Sequence, residues 1–452
     1  MLTTCNSTSS TITTNDDVST TPQFDTLSNS TESIDILPDE LKLEILKNLS
    51  QYEYVNLLRV SKSWHRLVFP LLYDHIIIDA NFSTFNNICP LIGRSYLHSS
   101  YNVKSFIKTI NTMKQVPRIT KFDVVDLPYS LGIQDESTRI FVKLFQKLTD
   151  LNELVWLDDN FRFEFLINLP NKPKVNTLIL NITHDTYSNA KFCESKKLNF
   201  TNLKNFQIIP FMDCDRLLKI INNMVINVND PKVIGQNLES LVLSGTIKHD
   251  VSYNQIIENT INVFNKSKIT YLDNLSVLSL ENLRIMEDDA NTLIKSINLK
   301  HLKTLHLQGI LGVTDSTFFE TITPYLTNLQ ILSVHITESE SRKVLEFISD
   351  LPTRLQELDV TLFASTFHHM ETYINPIIRH NTLSKLSLEI PSWPQTAPHQ
   401  SIKRSTKTSE KPTPSSLSRC IMSSSTPGGD IWWKGTLGTS VGGVWWVCIE
   451  IY

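Results

Sequence analysis

The chain repeats one short apolar pattern, Leu-x-x-Leu-x-Leu with apolar replacements, ten times between Ile119 and Leu388. The first copies are Ile119-x-x-Phe122-x-Val124 and Leu151-x-x-Leu154-x-Trp156, and the last is Leu383-x-x-Leu386-x-Leu388. Between them the central position falls at Leu178, Phe206, Leu241, Leu278, Leu305, Leu332 and Leu358, so copies stand 24 to 37 residues apart. Residues two apart share one face of a strand. Each copy therefore presents an apolar face that it cannot hide by itself. The segments after two of the cores supply a cover: Ala290, Leu293, Ile294 and Ile297 fall on one helical face, as do Phe318, Ile322 and Leu326. One strand and one return per unit, with neither face buried alone, requires neighbouring units to stack. The expected class is α/β with parallel strands. The two widest gaps predict longer returns before Leu241 and Leu278.

A period in the high twenties with this core resembles the leucine-rich repeat. The stretch from Leu305 to Leu329 is similar to the cysteine-containing subtype, with Leu305, Leu307, Gly309, Val313, Thr314 and Asp315 in place and Ile310 where the cysteine stands. The asparagine ladder of the common repeat is absent. The resemblance implies an irregular solenoid over about residues 117–390, a horseshoe with parallel strands on its concave face and helices on its convex face. Period-two alternation turns the residues flanking the strand leucines toward solvent on the concave side. Val242, Val277, Glu281, His306, Ile331, His335, Glu357 and Asp359 are the candidates there for contacting a protein target. The concave set holds few Arg or Lys, which disfavours a phosphate reader.

Upstream, Ile36 to Leu72 reads as three short helices. Pro38 suits a first helical turn, and Asp39 and Glu40 place negative charge at that N-terminus. Leu41, Ile45 and Leu49 recur every four residues, predicting one apolar face. Ser50 and Glu53 have capping-box spacing, so a second helix is expected from Gln51. Ser61 can cap a third helix holding Trp64, Leu67 and Val68, which Pro70 is expected to end. The order Leu37-Pro38, Glu44-Ile45-Leu46, Leu49, Leu57-Leu58, Val60, Lys62 and Trp64 resembles the F-box, a helical docking module. The resemblance implies docking on a Skp-type adaptor, and through it a cullin. Leu37, Pro38, Ile45, Leu49, Leu57, Val60, Trp64 and Leu67 stand at the family's positions and, with Leu41, are the candidate docking residues, some touching the adaptor and others holding the module together.

The expected organisation is a disordered Ser/Thr-rich leader over residues 1–33, the F-box over 34–75, a linker and first cap helix over 76–116, the repeats, and a low-complexity tail over 391–452. The last stretch, from Gly428, holds four of the seven tryptophans and does not match the rest. It reads either as a β-hairpin or partner-binding tail, or as an altered reading frame, the second being preferred. The net charge of −4 is small for 452 residues, so nucleic acid is not an expected partner. No stretch reaches a membrane span, the first residues, MLTTCNSTSSTITT, hold no apolar signal-peptide core, and the six scattered cysteines form no Cys-x-x-Cys pair. An intracellular protein, cytoplasmic or nuclear, with no membrane partner is expected. No catalytic constellation stands out. His368-His369 reads as a loop pair and Cys193 and Cys214 as packing residues, so neither enzymatic activity nor a metal or cofactor is expected. Taken together, the resemblances imply the substrate-recognition subunit of a cullin-based, SCF-type ubiquitin ligase. A scaffold bound to the adaptor alone, or a regulatory repeat protein, are the competing implications.

Overall fold

The computed structural model describes residues 37–81, 92–131, 135–182, 198, 200–211, 220–221, 237–245, 261, 264, 271–282, 284–312, 317–336, 342–361, 376–377, 379–391, 418–426, 429–439 and 444–451. The leader, Cys193, Cys214, Val313 to Asp315, His368-His369 and most of the two long returns lie outside the described residues.

The N-terminal helices are α1 (Asp39–Leu46), α2 (Gln51–Leu57) and α3 (Lys62–Asp74). With no residue between, α3 gives way to strand β1 (His75–Asp79), followed by β2 (Ser95–Leu97) and α4 (Ser100–Thr112). Every apolar core then becomes a strand: β3 (Lys121–Asp126), β4 (Glu153–Trp156), β5 (Thr177–Leu180), β6 (Asn205–Phe211), β7 (Ser240–Gly245), β8 (Val277–Glu281), β9 (Thr304–Ile310), β10 (Ile331–Ile336), β11 (Glu357–Thr361) and β12 (Lys385–Pro391). The returns hold α5 (Asp135–Phe145), α6 (Phe163–Asn168), α7 (Asp289–Ser296), α8 (Phe318–Ile322) and α9 (Arg342–Asp350).

From β3 to β12 the strands lie side by side in chain order, all parallel, with β1 and then β2 added beyond β3. The sheet is open. Its register aligns the central apolar positions into one row, Phe122, Leu154, Leu178, Phe206, Leu241, Leu278, Leu305, Leu332, Leu358 and Leu386. Ile76 of β1 extends the row. The leucine face packs under the helices in one continuous core, which takes in Phe106 of α4, Phe145 of α5, Leu166 of α6, Leu293 of α7, Phe318 of α8 and Phe347 of α9. Trp156 fills a leucine position and meets Phe141, Phe145, Phe161 and Phe165 with ring centroids 5.0–6.2 Å apart.

A backbone step joins the units. The residue before each strand and the strand's first residue both donate to one carbonyl of the preceding unit: Asn152 and Glu153 to Thr120, Asn176 and Thr177 to Asn152, and so on to Ser384 and Lys385 on Gln356. The same step begins in α3, where Thr120 N–H donates to the Asp74 carbonyl at 2.9 Å. The expected absence of an asparagine ladder has a counterpart on the return side. Asn202, Asn237 and Asn328 each stand just before a unit's first leucine and donate to Pro173, Thr201 and Lys300 one unit back, at 2.8, 3.0 and 2.7 Å.

Residues 76–116, expected as a linker and first cap helix, carry β1 beyond His75, then β2 and α4, which join the sheet and its core. One expectation is corrected. Pro70 does not end α3, which continues to Asp74. The carbonyl that Pro70 leaves unpartnered belongs to exposed Arg66, so the loss falls on the solvent side, while Leu71 and Leu72 beyond it pack on the helical core. The tail, for which a β-hairpin is one of the two readings, holds strands: β13 (Ser418–Thr426), β14 (Gly429–Thr439) and β15 (Val444–Ile451) form an antiparallel group, with β15 pairing along the otherwise open edge of β12. An unpaired edge presents free N–H and C=O groups, which such pairing satisfies.

Candidate functional site

The three N-terminal helices own a small core of Leu46, Tyr54, Trp64 and Val68, walled by Leu43, Leu49, Leu57, Leu58, Leu67, Leu71 and Leu72. Local chemistry sets their ends as the sequence predicts. Ser50 Oγ accepts from Glu53 N–H, while the Glu53 carboxylate accepts from Ser50 N–H at 2.6 Å, a complete capping box. The bonds from the Ser50 backbone and hydroxyl hold the Glu53 carboxyl below its usual range. Ser61 Oγ accepts from Trp64 N–H. Tyr54 OH donates to the Leu46 carbonyl at 2.8 Å, joining α2 to α1. Arg66 of α3 meets Asp39 of α1 at 2.6 Å.

The phase of α1 differs from the expected one. Its inward face is Lys42 and Leu46, and Leu41 and Ile45 point away, 52% and 45% exposed. Lys42 is 3% exposed, with Nζ 3.8 Å from Asp39 and 5.8 Å from the centre of the Trp64 ring. A lysine stem that covers an aromatic ring with its charge directed to a carboxylate serves as core cover. That frees the two branched apolar side chains.

The nine candidate docking residues therefore divide. Pro38, Leu41, Ile45 and Val60 face outward, Val60 being 64% exposed. Trp64 is buried, and Leu37, Leu49, Leu57 and Leu67 are half-buried. Leu49, Leu57, Trp64 and Leu67 build the core. Sequence reasoning missed Tyr52, 76% exposed. Its signal was available: it stands two residues from buried Tyr54, and residues two apart on a helix do not share a face.

The second candidate surface is the sheet face opposite the leucines. Register assembles its rows from distant units. Val277, Thr304, Ile331, Glu357 and Lys385 form one row. Val242, Ser279, His306, Ser333, Asp359 and Ser387 form the next. Glu281, Gln308 and His335 lie in a third, with Thr361 one strand beyond. Seven of the eight predicted residues are half-buried on this face; Val242 is the exception. Its β-branched side chain, set between Gln207 and Ser279, is withdrawn from solvent as apolar surface should be, so it offers a partner little. His335 Nε2 lies 3.1 Å from Asp359 Oδ2, and its Nδ1 bonds Thr361 Oγ1. Glu281 accepts from Ser279 Oγ at 3.2 Å, and Lys385 approaches Glu357 at 3.9 Å. Burial raises the Asp359 carboxyl, but bonds from His335 and Ser387 and the charges of His335 and Lys385 outweigh it and hold the group below its usual range.

The outward apolar set of the helices and the polar rows of the sheet are joined without a flexible stretch. The α3–β1 passage is continuous, Tyr96 N–H donates to Gln51 Oε1 at 3.0 Å, and Thr120 Oγ1 donates to Asp74 Oδ1 at 2.8 Å. Tyr73 lies between Phe69 and Phe106, tilted against the first ring and stacked on the second. No curated protein matches the chain. Residues 34–79 match the F-box-like family, and this segment is an F-box-like domain.

Proposed function

We propose that the protein is the target-recognition subunit of a cullin-based, SCF-type ubiquitin ligase. The F-box-like domain docks on a Skp-type adaptor and through it on the cullin. The parallel sheet is read as an irregular leucine-rich-repeat solenoid whose open face holds a protein target. The chain acts within the cell without catalytic residues or a cofactor; tethering raises the effective concentration of target lysines near the conjugating enzyme.

The observation that carries this is the F-box-like match together with Leu41 and Ile45, one helical turn apart and both turned away from their own core. Apolar side chains in that position are matched to a partner surface. Replacing both, Leu41→Glu with Ile45→Glu, is expected to abolish recovery of the adaptor in a pull-down while leaving the thermal midpoint within a few degrees of native. Undiminished adaptor recovery by this variant would overturn the proposal. Cullin in the native pull-down separates a ligase subunit from a scaffold bound to the adaptor alone.

A further inference from the structure

Five buried side-chain polar atoms among the described residues find no partner: Asp123 Oδ1, Trp156 Nε1, His306 Nδ1, Ser333 Oγ and Asp359 Oδ1. The last three belong to direct cross-strand neighbours, because Ser333 of β10 pairs with His306 of β9 on one side and Asp359 of β11 on the other. Ser333 is 3% exposed. A buried polar atom without a hydrogen bond costs free energy, so such atoms are scarce and scattered in protein cores. Three in one row, on the face opposite the described helices, mark a place shaped for something other than this chain.

The chemistry of the row selects what that is. The Asp359 carboxylate, drawn on by His335 at Oδ2 and by the Ser387 hydroxyl, still has Oδ1 without a partner, and a carboxylate oxygen can only accept. Burial pushes the His306 imidazole below its usual value, against the opposing pull of Glu281 and Asp359, which favours the neutral ring, and in the tautomer with its proton on Nε2 the Nδ1 atom accepts. The Ser333 hydroxyl accepts as well as donates. Carboxylates flank the row at Glu281 and Glu357, and among the described residues of these rows Lys385 stands against them. Neighbouring strands lie about 4.8 Å apart, a spacing that a planar fork with several N–H donors bridges. An arginine guanidinium offers five donors in such a fork and a charge that does not titrate away.

We propose that the His306–Ser333–Asp359 row receives an arginine side chain of the protein target, with Asp359 Oδ1 and Ser333 Oγ accepting from the guanidinium and His306 Nδ1 accepting at its edge. This rests on the assignment of the open face as the target surface. It names the feature of the target that is read.

The probe is a fluorescein-labelled peptide of Gly, Ser and Arg, titrated into the full chain by fluorescence anisotropy. Its control is the same peptide with citrulline, uncharged and nearly isosteric, at each arginine. Saturable binding of the arginine peptide is expected, weakened roughly tenfold or more by citrulline, by Asp359→Asn and by Ser333→Ala, as loss of a charge-assisted bond requires. Ser333→Ala separates recognition from folding, since removing a hydroxyl without a partner should leave the thermal midpoint unchanged or higher. Glu153→Gln, on the same face of β4, should bind as native. Equal affinity for the citrulline peptide, equal affinity in Ser333→Ala, or no saturable binding would each overturn the proposal. Adaptor recovery by Ser333→Ala should match native. Failure of the native chain to recover adaptor would sink the ligase assignment and leave the peptide result standing.

Discussion

Gly309 and Gly312 occupy the left-handed region, at φ +61° and +79°. A Cβ on Gly309 would collide with the Asn282 side chain, and one on Gly312 with the Ile285 carbonyl. The end of β9 thus lies tight against the turn after β8, where Asn282, itself at φ 54°, donates to the Gly245 carbonyl at 3.1 Å. Gly309→Ala is expected to lower stability by about 1–3 kcal/mol, combining the φ penalty with the clash. Denaturant unfolding measures it, and an unchanged midpoint would show that the turn relaxes at no cost. Gly309 stands out in the sequence through a likeness to one repeat subtype, but the reason for a glycine there does not. A sequence does not reveal which neighbouring turn lies against a glycine. Val242 is similar: alternation assigns it to the correct face, and the depth of its burial depends on side chains in other units.

Among the elements, the junction of α9 with β11 turns on one imidazole. His380 Nε2 donates to the Ile348 carbonyl at 2.8 Å, and its Nδ1 accepts from Leu355 N–H at 3.2 Å. The ring must be neutral to do both. Burial pushes its pKa below the ordinary 6.5, reinforced by Arg379 and Arg354 and only partly opposed by the bond to Ile348. The unfolded chain therefore takes up the proton first. The stability this ring contributes is complete above about pH 6.5 and is lost as pH falls toward the depressed folded value. Thermal midpoints between pH 7 and pH 5 should fall less in His380→Asn than in the native chain, and parallel curves would refute the assignment. The ten strands from β3 to β12 were readable because an apolar residue at every second position reports directly on a sheet with one covered face. The helix phase of α1 was not, since Leu41, Ile45 and Leu46 are equally apolar and only Tyr54, Trp64 and Val68 decide which turns inward. Pro70 misled for the same reason: the contacts that carry α3 past it lie in another part of the chain.

At the scale of the molecule, the F-box-like domain leans on the sheet. Its own core has four buried residues, and α3 runs unbroken into β1. A unit so small buries little surface by itself. It is expected to unfold together with the sheet. Inserting Gly-Ser-Gly between Asp74 and His75 should split off a separate, lower-temperature transition in scanning calorimetry, whereas an unaltered thermogram would mean that the two parts are already independent. The two-bond backbone step has a different consequence. It is made by residues at the mouth of each strand and takes no account of the 24 to 37 residues between them. Residues gained or lost in a return change the outer helical layer and leave the spacing of the rows on the opposite face untouched. The two sides of the molecule are thereby free to diverge separately, one holding its pattern of side chains constant while the other accumulates insertions.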